Sequence, residues 1–274
     1  MTARITTPFG AQSTASEVIA GVDLTGRRAI VTGGAGGLGR ETARALASAG
    51  ADVTIAARNL EAANSAAQEI SAETGNPKVK IAVLDLADLA SVAEFVKTWT
   101  GPLDILINNA GISLSDDLSD RAAFDRHLDV NFFGTYYMTK TFLPLLKRSR
   151  GAIVNIVSVG ALAALPILPA YSVSKAAAFS LSQSLRALLA SRGVTVHIVL
   201  PGPVDTDMTR GLDVPYGKES PQVVARNIID GIERGEEEIF PDPLSASLAD
   251  SWRTGTLKAL EREAAMLVQS AAVA

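Results

Sequence analysis

From Arg27 onward the chain alternates short runs rich in Val, Ile and Ala with longer Ala/Leu-rich stretches of helical period. "RRAIVTG" precedes a helix expected over 38–49, "ADVTIAA" one over 60–73, and "VKIAVLDL" one over 88–99. "LDILINNAG", "GAIVNIVSV", "VTVHIVLPG" and "EEIFPD" follow, with helices expected at about 120–148, 169–191 and 221–234 between them and a last one at about 244–270. Alternation of this kind folds as βαβ units on a parallel sheet. "AIVNIV" and "TVHIVL" are apolar on both sides of the strand, which fits a sheet covered by helices on each face. The expectation is a single α/β domain over 26–274 around seven parallel strands. Ser220 before Pro221 reads as a helix start, with the hydroxyl as cap and the proline in the first turn.

Composition narrows what such a domain does. At 274 residues and 47% hydrophobic, the chain can bury one large core without needing a second domain. Net charge is −4 and no basic cluster is denser than "KRSR" at 147–150, so neither nucleic acid nor an anionic membrane is expected as a partner. There is no cysteine, and the two histidines are His127 and His197, so disulfides, thiolate metal sites and a three-histidine zinc site are excluded and no metal is expected. Both histidines read as packing residues. No apolar run approaches the ~20 residues of a membrane span, and the first residues carry no signal-like apolar stretch, so a cytoplasmic location is expected. Residues 1–25 stand outside the alternation as a polar N-terminal extension, with a short helix at about 15–20 and no assigned chemistry.

The first strand runs straight into "TGGAGGLGR", glycines at a strand end that opens a helix. A pyrophosphate can sit there on exposed backbone amides at the positive helix end. Gly33 would permit the turn, Gly37 the approach of phosphate, and Gly39 close packing of helix on strand. At the end of the second strand, "TIAARNLE" places Ala57 where an acid would bind the ribose hydroxyls of NAD, and Arg58 next to it can accept the 2′-phosphate of NADP. NADP(H) is therefore preferred, with NAD(H) the alternative through neutral hydrogen bonds from Asn59. Arg40 either adds positive potential near that phosphate or simply starts the helix.

Tyr171 and Lys175 lie four residues apart on one expected helix, hence on one face. Lowering a phenol pKa from about 10 to about 7 takes roughly 4 kcal/mol. A lysine charge about 6 Å away supplies on the order of 2.8 kcal/mol at an effective dielectric near 20. An oxidised nicotinamide would be the natural source of the rest, making Tyr171 a general acid/base whose strength depends on cofactor.

"TGGAGGLG" at 32–39, "NNAG" at 108–111, Asn131 in "DVNFFGT", Ser158, "YSVSK" at 171–175 and "PGPVDT" at 201–206 occur in an order and spacing that resemble the short-chain dehydrogenase/reductase family, in its single-domain branch, over about 24–240. The N-terminal part is similar to retinol dehydrogenase-like members and the remainder to bacterial ketoacyl reductase-type members. The resemblance implies a Rossmann-like, doubly wound seven-stranded sheet. It implies that Tyr171 moves the substrate proton, Ser158 hydrogen-bonds the substrate oxygen, Lys175 lowers the tyrosine pKa and holds the nicotinamide ribose, and Asn131 holds a water linking Lys175 to solvent. Asp85 would contact adenine, Asn108 would lie near its ribose, and Thr206 would bind the carboxamide. Leu38, Leu86, Ala110, Gly111, Pro201, Gly202 and Val204 complete the implied cofactor contacts. A homodimer or homotetramer paired through the two long helices is also implied.

Leu162, Leu165, Ile167 and Leu168 around the Ser/Tyr/Lys group are expected to exclude water. A lid over about 203–220, with Met208, Leu212, Val214 and Tyr216 facing inward, would favour a hydrophobic carbonyl or secondary alcohol as substrate. Two other functions fit the fold. A nucleotide sensor without turnover would have no use for Tyr171 and Lys175 together, and an epimerase using the dinucleotide internally would want a larger C-terminal domain.

Overall fold

The computed structural model describes residues 23–271; of the N-terminal extension only 23–25 are among them, and the expected helix at 15–20 lies outside the described residues. Seven strands form one parallel sheet in the order β3-β2-β1-β4-β5-β6-β7. They are β1 (Arg28–Thr32), β2 (Asp52–Ala57), β3 (Val79–Val83), β4 (Ile105–Asn108), β5 (Ala152–Ile156), β6 (Thr195–Val199) and β7 (Glu238–Ile239). The order runs outward from β1 in one direction and from β4 in the other. Their junction is therefore the switch point at which doubly wound sheets hold ligands, beyond the carboxyl ends of the strands.

Helices cover both faces. Ala43 and Leu46 of α1 (Gly37–Ser48), Ile70 of α2 (Leu60–Thr74) and Val224 and Ile228 of α7 (Pro221–Glu233) pack with Val31 and Val53 on one side. Phe95 of α3 (Leu89–Thr98) and Met138, Phe142 and Leu146 of α5 (Gly134–Ser149) pack with Ile30, Leu106 and Ile153 on the other. Ile30 and Val31 thus serve opposite layers, as the two-residue period of a strand requires. Ser220 caps α7 as expected, its Oγ accepting from Val223 N at 3.2 Å.

Two expected helices are interrupted. The stretch 120–148 is α4 (Arg121–His127), a π-helical turn over Leu128–Phe133, and α5; Asn131 sits inside the π turn. The stretch 244–270 is α8 (Pro243–Thr254) and α9 (Thr256–Ala271), broken at Gly255, whose φ of −76° and ψ of 160° are extended. Hydrophobic period alone does not register either break. Inside the second pair, buried Lys258 of α9 holds Glu238 and Glu261 at 2.8–2.9 Å, and Arg186 of α6 (Pro169–Leu189) reaches the same two carboxylates.

Candidate active site

A cleft of about 500 Å³ opens at the carboxyl ends of the strands. It is walled by the 33–39 turn, by Ala57, Arg58 and Asn59 after β2, by Leu84, Asp85 and Leu86 after β3, by 109–112 after β4, and by Ser158, Tyr171, Lys175 and the 201–209 segment. Gly33, Gly37, Leu38, Gly39, Arg58, Asp85, Leu86, Ala110, Gly111, Pro201, Gly202, Val204 and Thr206 all line it.

Its floor is the start of α1. Asn59, Asp88, Asp120, Ser220 and Asp242 each cap the helix that follows with their own side chain, whereas Gly36 at the head of α1 offers none. The first-turn amides of α1 are therefore left to the cleft, with the positive end of the helix behind them. The turn is held tight: Gly33 has φ +65°, and a Cβ on Gly39 would stand 2.3 Å from Asn109 Nδ2 and 2.5 Å from Gly33 O. Only glycine fits either position.

Arg58 stands exposed at the rim with no ion-pair or hydrogen-bond partner among the described residues. Arg40 does not join it; its guanidinium pairs with Glu69 of α2. Asn59 spends its side-chain oxygen on Ala62 N at 3.0 Å, as the cap of α2.

At the opposite end Tyr171 and Lys175 are one turn apart on α6, with Lys175 Nζ 5.7 Å from the centre of the tyrosine ring. Lys175 is buried, donates to Ile156 O at 2.9 Å, and burial brings its pKa down to about 8. Among the protein's own groups, burial pushes the Tyr171 phenol above its ordinary value and a hydrogen bond with Ser158 pulls it partly back. The ammonium lies over the ring face. Ser158 is buried, and its Oγ accepts from Gly160 N at 3.0 Å, which leaves the hydroxyl proton to be donated toward Tyr171 or a substrate oxygen.

One asparagine is placed differently from expectation. Asn108, expected at the adenine ribose, is buried within the sheet, its Nδ2 donating to Asn155 Oδ1 at 2.8 Å and Thr139 Oγ1 at 3.1 Å. The next residue, Asn109, faces the cleft and donates to Thr32 O at 2.9 Å, tying the glycine turn to β4. The two-residue period of β4 puts these adjacent residues on opposite sides without saying which of them meets the cleft. Asn131, expected to hold a water for Lys175, uses its side chain on protein. Its Oδ1 accepts from Ile112 N at 2.8 Å, and its Nδ2 donates to Ile112 O at 3.0 Å and Ser174 Oγ at 2.9 Å. It remains near the lysine: a Cβ on Gly111 would lie 3.1 Å from Asn131 Oδ1 and 3.4 Å from Lys175 Nζ.

The apolar screen is also placed differently. Of the leucines and isoleucine expected to exclude water, none lines the cleft; Ile167 is 66% exposed and Leu162 packs with Phe179 and Trp252 in a separate cluster. In the 203–220 segment Met208 lines the cleft, but Leu212, Val214 and Tyr216 do not, and Tyr216 is 78% exposed. The segment is closed at its base, where Asp205 N donates to Glu219 O at 2.8 Å and Glu219 N to Pro203 O at 3.0 Å. Lys218 Nζ points back to Thr209 O at 2.6 Å. Both histidines are packing residues: His127 is fully buried between Ala123 O and Leu114 N, and His197 holds Glu236 O at 2.7 Å.

A family model described as short chain dehydrogenase matches residues 27–215. A probable oxidoreductase of Streptomyces antibioticus is 40% identical over 207 residues, covering 70% of this chain and 69% of that protein. A "Dehydrogenase/reductase SDR family protein 7-like" of Anopheles gambiae is 35% identical over 247 residues, 82% of this chain and 78% of its own. Among solved structures, a short chain dehydrogenase from Burkholderia cenocepacia in complex with NADP superposes with a TM-score of 0.74 at 31% identity, over 88% of this chain and 98% of that one. A short-chain dehydrogenase from Sphingobium yanoikuyae in complex with NADPH gives 0.78 at 26%, over 85% and 94%. The chain therefore belongs to the short-chain dehydrogenase/reductase family of oxidoreductases.

Proposed function

We propose that the protein is an NADP(H)-dependent oxidoreductase that interconverts a carbonyl and a secondary alcohol. The observation that carries this reading is the meeting of Ser158, Tyr171 and Lys175 in the same cleft as the uncapped start of α1. The residues present fit a dinucleotide phosphate. The α1 amides suit a pyrophosphate, Arg58 is a free cation at the ribose end, and no acid stands at Ala57 to repel a 2′-phosphate. Two relatives in the family are described in complex with NADP or NADPH, which supports the same choice.

When bound, the nicotinamide supplies or accepts a hydride at the substrate carbon. The chain's residues handle the oxygen. Tyr171, held as a phenol by burial, gives its proton to that oxygen in reduction and takes it back in oxidation. Ser158 donates its hydroxyl proton to the same oxygen. Lys175 offers a charge that a tyrosinate needs, and with a pKa of about 8 it holds that charge at neutral pH. Asn131 fixes Ile112 against Ser174 and so sets the wall between cofactor and substrate. Ile112, Val157 and Met208 along the cleft favour an uncharged, apolar carbonyl compound. Phe133 and Val173, exposed on the π turn and on α6, favour pairing of those helices in a homodimer or homotetramer. Among the described residues no helix is long and apolar enough to cross a membrane.

The test is turnover of a ketone panel with NADPH by the full chain and by Tyr171→Phe. The variant should bind NADPH like the parent and reduce nothing; retained reduction would overturn the assignment of Tyr171.

A further inference from the structure

The helix that carries Tyr171 and Lys175 starts without a cap of its own. Leu168 precedes it with no side-chain hydrogen bond, and Pro169 in its first turn has no N–H. The first amide that needs a partner is Ala170 N, one residue before Tyr171. It donates to Asp116 Oδ1 at 3.2 Å, across 54 residues of sequence. The other carboxylate oxygen, Oδ2, is buried without a partner among the described residues.

Asp116 ends a segment held at alternate positions. Ile112 N donates to Asn131 Oδ1 at 2.8 Å, and Leu114 N to His127 Nε2 at 3.0 Å. The bond of His127 Nδ1 to Ala123 O at 2.8 Å places its proton on that nitrogen and leaves Nε2 free to accept. Residues 112–116 thus leave the cleft at Ile112, run over α4 and the π turn, and finish on the first turn of the catalytic helix. Leu118, just beyond, adopts φ +68° while its amide also turns back to Asp116 Oδ1 at 3.3 Å.

We propose that Asp116 is a positioning residue for Tyr171: by capping α6 from the β4 side it fixes the phenol relative to Ser158, which is mounted after β5. The proposal rests on the reading of Tyr171 as the acid/base. Loss of the cap frees the first turn and so the phenol, and misplacement by about 1 Å can cost on the order of 100-fold in rate. Lys175 lies a turn deeper and is tied to Ile156 O, so cofactor binding should not follow.

The experiment compares Asp116→Ala, Asp116→Asn and Asp116→Glu with the parent and with Tyr171→Phe, all as full chains with NADPH. The readouts are hydrogen exchange of the peptide spanning 168–175, NADPH affinity by nucleotide fluorescence, and kcat and KM for the aliphatic ketone that the parent reduces fastest. Asp116→Ala should exchange those amides about tenfold faster and lose about tenfold in kcat, with NADPH affinity within about twofold of the parent. Asp116→Asn, whose amide oxygen can still accept, should restore both to within about threefold, and Asp116→Glu, which keeps the charge but moves the oxygen, should not. Parent-like exchange and kcat in both the Ala and Glu variants would overturn the proposal, as would an Asn variant no better than Ala. If Tyr171→Phe still turns over, the acid/base reading fails on its own, while the exchange data still decide whether Asp116 caps α6.

Discussion

Two cations face one cleft and live in different media. Arg58 stands at the rim in water, without a partner among the described residues, and its charge reaches a ligand through a high dielectric and a salt atmosphere. Lys175 is buried on α6 against Ile156 O, and burial has drawn its pKa down to about 8. A rim charge costs the fold almost nothing and gives a modest, screenable preference between ligands. A buried charge strains the fold and acts at close range on whatever proton moves beside it. The first suits choice of cofactor and the second suits catalysis.

The largest expected effect comes from removing the buried charge. Lys175→Met should lower kcat by on the order of 1000-fold while making the protein more stable at pH 7, because a cation no longer has to be desolvated. The sign follows from linkage. Between about pH 8 and the lysine's ordinary 10.5 the unfolded chain binds the proton that the folded chain has released, so parent stability rises with pH across that window. The Met variant's advantage should therefore be full below pH 8 and fade above it. Denaturant melts of both proteins at pH 7, 9 and 10.5 check this, and an advantage independent of pH would break the contrast.

Removing the rim charge should do less and do it elsewhere. Arg58→Ala should cost about tenfold in preference for NADPH over NADH, about 1.4 kcal/mol, with kcat at saturating cofactor unchanged. That loss should shrink as ionic strength rises from about 0.05 to about 0.5 M, since the Debye length falls below the distance over which an exposed cation acts. Paired fluorescence titrations at the two salt concentrations measure it. An effect as large as that of Lys175→Met, or one indifferent to salt, would place Arg58 in the buried class.

The smallest effect belongs to the 203–220 segment. Tyr216, 78% exposed and outside the cleft lining, should change kcat/KM by less than about twofold when replaced by alanine. A tenfold change would show that the segment closes over substrate with Tyr216 inward, and would return the apolar lid expected from the sequence.

That expectation shows where sequence reading stopped. Features set by neighbours along the chain were legible: the strand and helix order, the glycine turn, the Tyr171 and Lys175 pair, and the Ser220 cap. Features set by distant partners were not. Asn108 and Asn109 differ only in which side of β4 they occupy, and nothing local says which meets the cleft. The π turn at Asn131 arises where one side chain must reach both Ile112 and Ser174. Leu162 and Tyr216 both carry large hydrocarbon surface, and composition does not reveal that one packs on Trp252 and the other faces water. Asp116 is invisible as a cap because its helix begins more than fifty residues later.

The central claim is that Tyr171 is a phenol by its own surroundings and an ionisable base only with the nicotinamide charge beside it. Absorbance near 295 nm reports tyrosinate, and subtracting Tyr171→Phe from the parent cancels the other three of the four tyrosines. The difference titration should show no ionisation within the ordinary phenol range without nucleotide, and with saturating NADP⁺ a transition at least tenfold easier, about 1.4 kcal/mol. A transition near neutrality without nucleotide, or one that NADP⁺ leaves in place, would contradict the account.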